Sequence, residues 1–242
     1  MSDVKAQVEY REGSIVLDMD NKPGAASSTS NQSTAAVAAH GSQGAPVCNI
    51  PEHQRKFGNP LPIGMGAFAV GGFMVGLYNT GLVIHIPQAV MGVALGFSAM
   101  GQLICGIAEL LLGNTFGGTS MLTYSGFWFS YGIMFSGGGG FFDTAMESGM
   151  HELEMCLGLW QIAFSIPAAI FFVATFKQPW IVRFLLFLVF SAFFFGGLGA
   201  FTGVTGLTVA GGWFSFALAL VAFYIMAALL FAEEKIMNLP MF

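Results

Sequence analysis

Six apolar runs, at about 62–83, 87–112, 119–135, 155–176, 180–200 and 207–232, carry almost no charge. Each holds about 20 residues, and at 1.5 Å per residue that is enough to cross a hydrocarbon layer about 30 Å thick. A soluble domain has about 25% charged residues; this chain has 9%, with 55% hydrophobic residues. No water-soluble core accommodates six such helices. The composition therefore predicts an all-α membrane protein, a six-transmembrane-helix bundle in a lipid bilayer.

The same composition excludes several classes. A net charge of −5 gives no basic surface for nucleic acid. Cys48, Cys105 and Cys156 form no paired framework, and Cys105 and Cys156 read as buried small hydrophobes. His85 and His151 stand alone near span ends. The chain has no Ser/His/Asp set, no metal-ligand spacing and no phosphate loop, so neither an enzyme nor a cofactor or metal site is expected.

Three domains follow from the pattern. Residues 1–57, rich in Ser, Thr, Ala, Gly and Gln, read as a disordered tail, because they cannot bury enough apolar surface to offset ordering. That tail is polar, so the first span is expected to direct insertion in place of a signal peptide. Residues 58–235 form the transmembrane domain, and 236–242 a short C-terminal tail. Lys5, Arg11, Lys22, Arg55 and Lys56 precede the first span, Lys177 and Arg183 bracket the fourth connection, and Lys235 follows the sixth. All fall on one side of a six-span chain, which the positive-inside rule makes cytosolic. Both termini are then cytosolic, and the sequon Asn31-Gln32-Ser33 is unused. The outer segment 137–154 carries Asp143, Glu147, Glu152 and Glu154, and its four-glycine run reads as a flexible exit from the third span.

A few polar residues interrupt the runs. Asn59-Pro60-Leu61-Pro62-Ile63-Gly64 reads as a capped helix start, and equally as a positive helix end turned toward an anion. Ser98, Gln102, Cys105 and Glu109 stack on one helix face at i, i+4, i+7 and i+11. Glu109, an ionisable group within a run, is either a proton carrier or a brace for Gly113-Asn114-Thr115. Thr115, Thr119 and Thr123, with Ser120 and Tyr124, form a hydroxyl ladder expected to line a solute path. Asn79, at the end of the first span, is assigned to the same path. Small residues such as Gly71-Gly72 and Gly196-Gly197 read as close helix packing. Most of the 26 phenylalanines, Phe193-Phe194-Phe195 and Phe171-Phe172 included, read as lipid-facing or packing residues. Trp160, Trp180 and Trp213 read as interface anchors.

Residues 59–65, Asn-Pro-Leu-Pro-Ile-Gly-Met, resemble the NPAPLGL signature of the acetate uptake transporter family, the GPR1/FUN34/YaaH group. Gly113-Asn114-Thr115-Phe116-Gly117, Tyr124-Ser125-Gly126-Phe127-Trp128 and Gly158-Leu159-Trp160 extend the resemblance over about residues 57 to 235. The long N-terminal tail resembles the eukaryotic, fungal-like branch. The resemblance implies a six-helix protomer in a homo-hexamer, with one pore per protomer. It also implies uptake of acetate, in some members succinate or lactate, with or without proton coupling. The family's constriction of Phe, Tyr and Leu falls on Phe68, Tyr124 and Val189, with Leu188 adjacent; Val for Leu implies a slightly wider neck. Leu61, Ile63 and Met65 also depart from the signature.

The expectation is thus a proton-linked transporter or channel for short monocarboxylates in the plasma membrane. Its path would run by Asn59, Pro60, Pro62, Gly64, Asn79, Gln102, Glu109, Asn114, Thr115, Thr119 and Thr123 to a neck at Phe68, Tyr124 and Val189. A neutral channel for ammonia or urea, and a non-transporting signalling or scaffold protein, are the alternatives.

Overall fold

The computed structural model describes residues 57–83 and 85–241, and two short strands in a separate N-terminal unit. Those strands, β1 (Tyr10–Arg11) and β2 (Ser14–Ile15), pair antiparallel, Tyr10 opposite Ile15 and Arg11 opposite Ser14. Apart from them and Phe57, the expected tail, its sequon and its cations lie outside the described residues.

Helix α1 is Leu61–Thr80. Pro60 flanks it and Pro62 sits in its first turn, where the missing N–H costs nothing. The cap expected of Asn59 is shifted by one position: its Oδ1 accepts from the N–H of Leu61 at 3.0 Å, with Pro60 already helical. The second apolar run is one span made of α2 (Gln88–Val93), a π-helical segment (Ala94–Ala99) and α3 (Met100–Leu111). Two hydroxyls brace the π segment: Ser98 Oγ donates to the Ala67 carbonyl of α1, and Ser125 Oγ, from the next helix in the chain, donates to the Ala99 carbonyl, each at 2.8 Å. α4 (Thr115–Phe135) follows, then α5 (Phe141–Ser148), α6 (Met150–Ala174), α7 (Trp180–Thr202) and α8 (Thr205–Glu233).

Five of these units are long and apolar enough to cross a membrane: Leu61–Thr80, Gln88–Leu111, Met150–Lys177, Trp180–Thr202 and Thr205–Glu233. They make the chain an integral membrane protein. α4 has the length, 21 residues, but its Thr, Ser, Gly and Tyr content keeps it outside that group.

Packing follows the glycines. α1 runs antiparallel along α8, α8 packs on α7, α7 on α6, and α3 on both α1 and α4. A Cβ placed on Gly76 would lie 2.6 Å from the backbone nitrogen of Phe216, and one on Gly212 2.8 Å from that of Thr80. Backbone, unlike a side-chain end, cannot swing away, so these positions admit only glycine. Gly158 and Gly197 meet in the same way across α6 and α7. In lipid, where apolar burial gives helices little drive to associate, such close approach supplies the packing energy.

Two expected loops differ. Residues 137–154 are mostly helical, because Phe142 of α5 packs on Phe135 at 5.3 Å and Asp143 occupies the first turn of α5. Gly140 (φ 64°) and Gly149 (φ 109°) provide the left-handed turns at either end. At the C-terminus, α8 ends through Lys235 (φ 55°), and the Tyr224 hydroxyl donates to the Pro240 carbonyl at 2.7 Å. The tail therefore folds back on α8 instead of leading away. Trp160 is an inward packing residue and not an interface anchor: Nε1 donates to Ser130 Oγ at 2.9 Å and its ring stacks on Phe127 at 4.6 Å. Trp180 and Trp213 are exposed, as anchors are.

Gly76→Leu is expected to destabilise the purified protein by about 1–3 kcal/mol, the usual cost of overpacking a well-filled site. Gly92→Ala, with nothing within 4 Å of the added carbon, should be neutral or slightly stabilising. Thermal unfolding in detergent measures both.

Candidate functional site

A cavity of about 510 Å³ opens at the end of the bundle that carries α5 and reaches in to Phe68 and Val189. Its upper wall holds most of its polar groups: Asn79 at the end of α1, Gln88, Glu154 and Gln161 of α6, and Thr205 and Thr208 of α8. Its lower wall is aromatic, with Phe127, Trp128 and Tyr131 from α4, Trp160 from α6 and Phe193 from α7. Periodicity explains the α4 contribution. The buried face runs through Ser120, Tyr124, Phe127, Trp128, Tyr131 and Phe135, at the three- and four-residue spacing of one helix side.

Phe68 of α1 and Val189 of α7, both buried, are the deepest lining residues from those two helices. Tyr124 stacks on Phe68 at 5.4 Å and on Phe193 at 6.3 Å, and Phe171 closes against its edge at 5.9 Å. The structure thus brings Phe68 and Tyr124 together, with Val189 on the same cavity, whereas Leu188 does not reach it. Phe193, expected to face lipid or fill space, lines the cavity instead. The Tyr124 hydroxyl is buried without a hydrogen-bond partner, as are Gln102 Oε1 and Trp128 Nε1.

The other expected residues lie away from this cavity. Ser98, Gln102, Cys105 and Glu109 do share one buried face. Gln102 Nε2 lies 3.9 Å from Met121 Sδ, and Cys105 packs directly under Gly64. Glu109, only 4% exposed, accepts from Asn114 Nδ2. Asn114 Oδ1 in turn accepts from the N–H of Gly117 at 3.0 Å, and the Asn114 N–H donates to the Glu109 carbonyl at 2.8 Å. The carboxylate therefore holds Asn114, which caps α4, and so braces the α3–α4 turn. Asn59, Pro60 and Pro62 stay at the start of α1, Asn59 exposed and both prolines half-buried.

The hydroxyl ladder does not line the cavity. Thr115 and Thr119 are exposed on the outside of α4, and Thr123 Oγ1 donates back to the Thr119 carbonyl at 2.8 Å. Three threonines at four-residue spacing share a face, but that face is turned about 100° from Tyr124. Sequence reasoning also missed Trp128, Tyr131, Glu154 and Gln161. The α4 aromatics could have been found from their spacing relative to Tyr124, and Gln161 by continuing one helix face on from Glu154.

The brace predicts energetic coupling. Asn114→Ala should cost about 1–2 kcal/mol as a lost cap, and Glu109→Leu about 1–3 kcal/mol as a broken buried bond. The double variant should cost less than their sum by at least about 0.5 kcal/mol. A double-mutant cycle by denaturation in detergent measures this, and strict additivity would contradict the brace.

Comparison with known proteins supports one grouping. Residues 41–241 match the model of the GPR1/FUN34/yaaH family. The chain is 34% identical over 175 residues to Ammonia transport outward protein 2 of Saccharomyces cerevisiae, covering 72% of this chain and 62% of that one. It is 34% identical over 151 residues to Acetate permease A of Emericella nidulans, covering 60% of this chain and 50% of that one. The matches thus span half to about three-fifths of these relatives' lengths. The fold is that of the bacterial acetate channel SatP, with a TM-score of 0.67 at 20% identity, over 77% of this chain and 100% of that one. The chain belongs to the GPR1/FUN34/yaaH family.

Proposed function

We propose that this protein moves short monocarboxylic acids, acetate among them, across the membrane through the cavity and the neck at its floor. The observation that carries this reading is the aromatic cavity ending at Phe68 and Val189, with Tyr124 stacked behind. A ring-lined constriction excludes water and bulky solutes and passes a small flat molecule. A bare charge in such a neck is costly, so the acid crosses in neutral form, which links transport to protons.

In this reading α4 is the sixth span. Its 21 residues reach about 30 Å. Ser120, Thr123 and Ser130 donate to carbonyls of their own helix, which lowers the cost of their hydroxyls in lipid. Lys177, Arg183 and Lys235 then share the cytosolic end with both termini, and the cavity opens outward from the plasma membrane. The protomer works within a homo-hexamer, each copy with its own path, as the family resemblance implies. The buried, unpaired Tyr124 hydroxyl, stacked behind Phe68, is available to the passing acid. Asn59, Gly64 and the Glu109–Asn114 brace lie beyond the neck and shape its inner mouth.

A second reading, ammonia conduction, is favoured by the absence of any Lys or Arg from the cavity wall and by the name of one relative. Labelled acetate and methylamine fluxes in the same liposomes separate the two.

Labelled acetate entering liposomes that hold the purified protein should saturate and slow between pH 5 and pH 8. Val189→Phe should reduce it by about 5- to 150-fold, the rate equivalent of overpacking the neck by about 1–3 kcal/mol. Deleting residues 2–50 should leave it unchanged. Uptake no faster than in empty liposomes at every pH would overturn the transport reading and favour a scaffold.

A further inference from the structure

The outer end of the bundle is electrostatically one-sided. Asp143 and Glu147 on α5 and Glu152 and Glu154 on α6 gather there, with His85 and His151 the only groups among the described residues able to carry positive charge. Among the described residues, Lys177, Arg183 and Lys235 all belong to the opposite end. Of the four carboxylates, only Glu154 lines the cavity. It sits on the α6 face that continues one turn on to Leu157 and two turns on to Gln161, so it stands at the mouth of the path. The α1, α7 and α8 segments that complete this part of the wall contribute Asn79, Thr205 and Thr208 but no ionic side chain. Below Glu154 the wall turns aromatic, and the low dielectric there strengthens the field of that carboxylate along the cavity.

We infer that Glu154 reinforces at the mouth the charge selection made at the neck: its field repels carboxylates, dianions above all, and leaves neutral monocarboxylic acids free to enter. This rests on the carboxylic-acid reading above and narrows it. An anion approaching the neck meets a like charge, with no cation on the wall to offset it. A neutral acid meets only a hydrogen-bonding rim and then rings. A dicarboxylate keeps at least one charge over most of the physiological range, since carboxyl groups titrate near pH 4. It is therefore excluded more strongly than acetate.

The test compares wild type, Glu154→Gln and Glu154→Lys in liposomes, reading acetate and succinate uptake from pH 5 to 8 at low and high salt. Glu152→Lys, equally exposed but off the cavity wall, controls for general surface charge. The Lys variant should flatten the decline of acetate uptake with pH and raise the succinate-to-acetate ratio about tenfold, with Gln intermediate. The differences should shrink as salt screens the field. The inference is overturned, with the carboxylic-acid reading intact, if wild type carries acetate and the ratio and pH profile do not move in either variant. It is likewise overturned if Glu152→Lys moves them as much as Glu154→Lys. No acetate uptake by wild type at any pH would overturn both.

Discussion

A helix in hydrocarbon has no water to satisfy its polar side chains, and the rest of this bundle depends on how that demand is met. Ser98, Ser125 and Ser215 each donate to a carbonyl of a neighbouring helix, tying α1 to the π segment and to α8, and α4 to the π segment. Ser120, Thr123, Ser130, Ser165 and Ser191 bond back to their own helices. Glu109 and Asn114 satisfy one another. Against that record, the unpaired exceptions are informative. Among the described residues, three of the four buried orphans, Gln102 Oε1, Tyr124 OH and Trp128 Nε1, belong to α3 and α4; Tyr124 packs on Phe68 and Trp128 lines the cavity.

Glycine makes this arrangement possible by fixing the distances. The α1–α8 seam, closed at Gly76 and Gly212, holds Phe68 at its depth. α7, packed against both α6 and α8, sets Val189 and Phe193 across from it. A cavity wide enough for solvent above and ring-closed below follows from helices that touch backbone to backbone at some levels and are held apart by aromatic side chains at others.

How much of this could be read from the sequence depended on the kind of signal. The five apolar spans were legible because length and hydropathy are local properties. So was the buried face of Ser98, Gln102, Cys105 and Glu109, since Ser98 sits at the end of the π segment and the other three follow it in α3. α5 was hidden by its charges, which read as a loop although Phe142 anchors it to Phe135. The threonine ladder misled because spacing shows which residues share a face but not which face turns inward; the aromatic load of α4 decided that in favour of Tyr124. Phe193 was indistinguishable from its neighbours Phe194 and Phe195 until α7 was packed. Phe68, Tyr124 and Val189 came from family resemblance, which carries information about the neck that no periodicity contains.

The central claim is that solute passes through the cavity whose floor is Val189, and substituted-cysteine labelling tests it directly. With Cys48, Cys105 and Cys156 replaced, Val189→Cys protein in liposomes is treated with a small thiol reagent from the cavity side, and acetate flux is followed. The account predicts that modification stops the flux, that excess acetate slows the modification, and that labelling Leu159→Cys, on the exposed face of α6, does neither. Full modification of Val189→Cys with undiminished flux would contradict it.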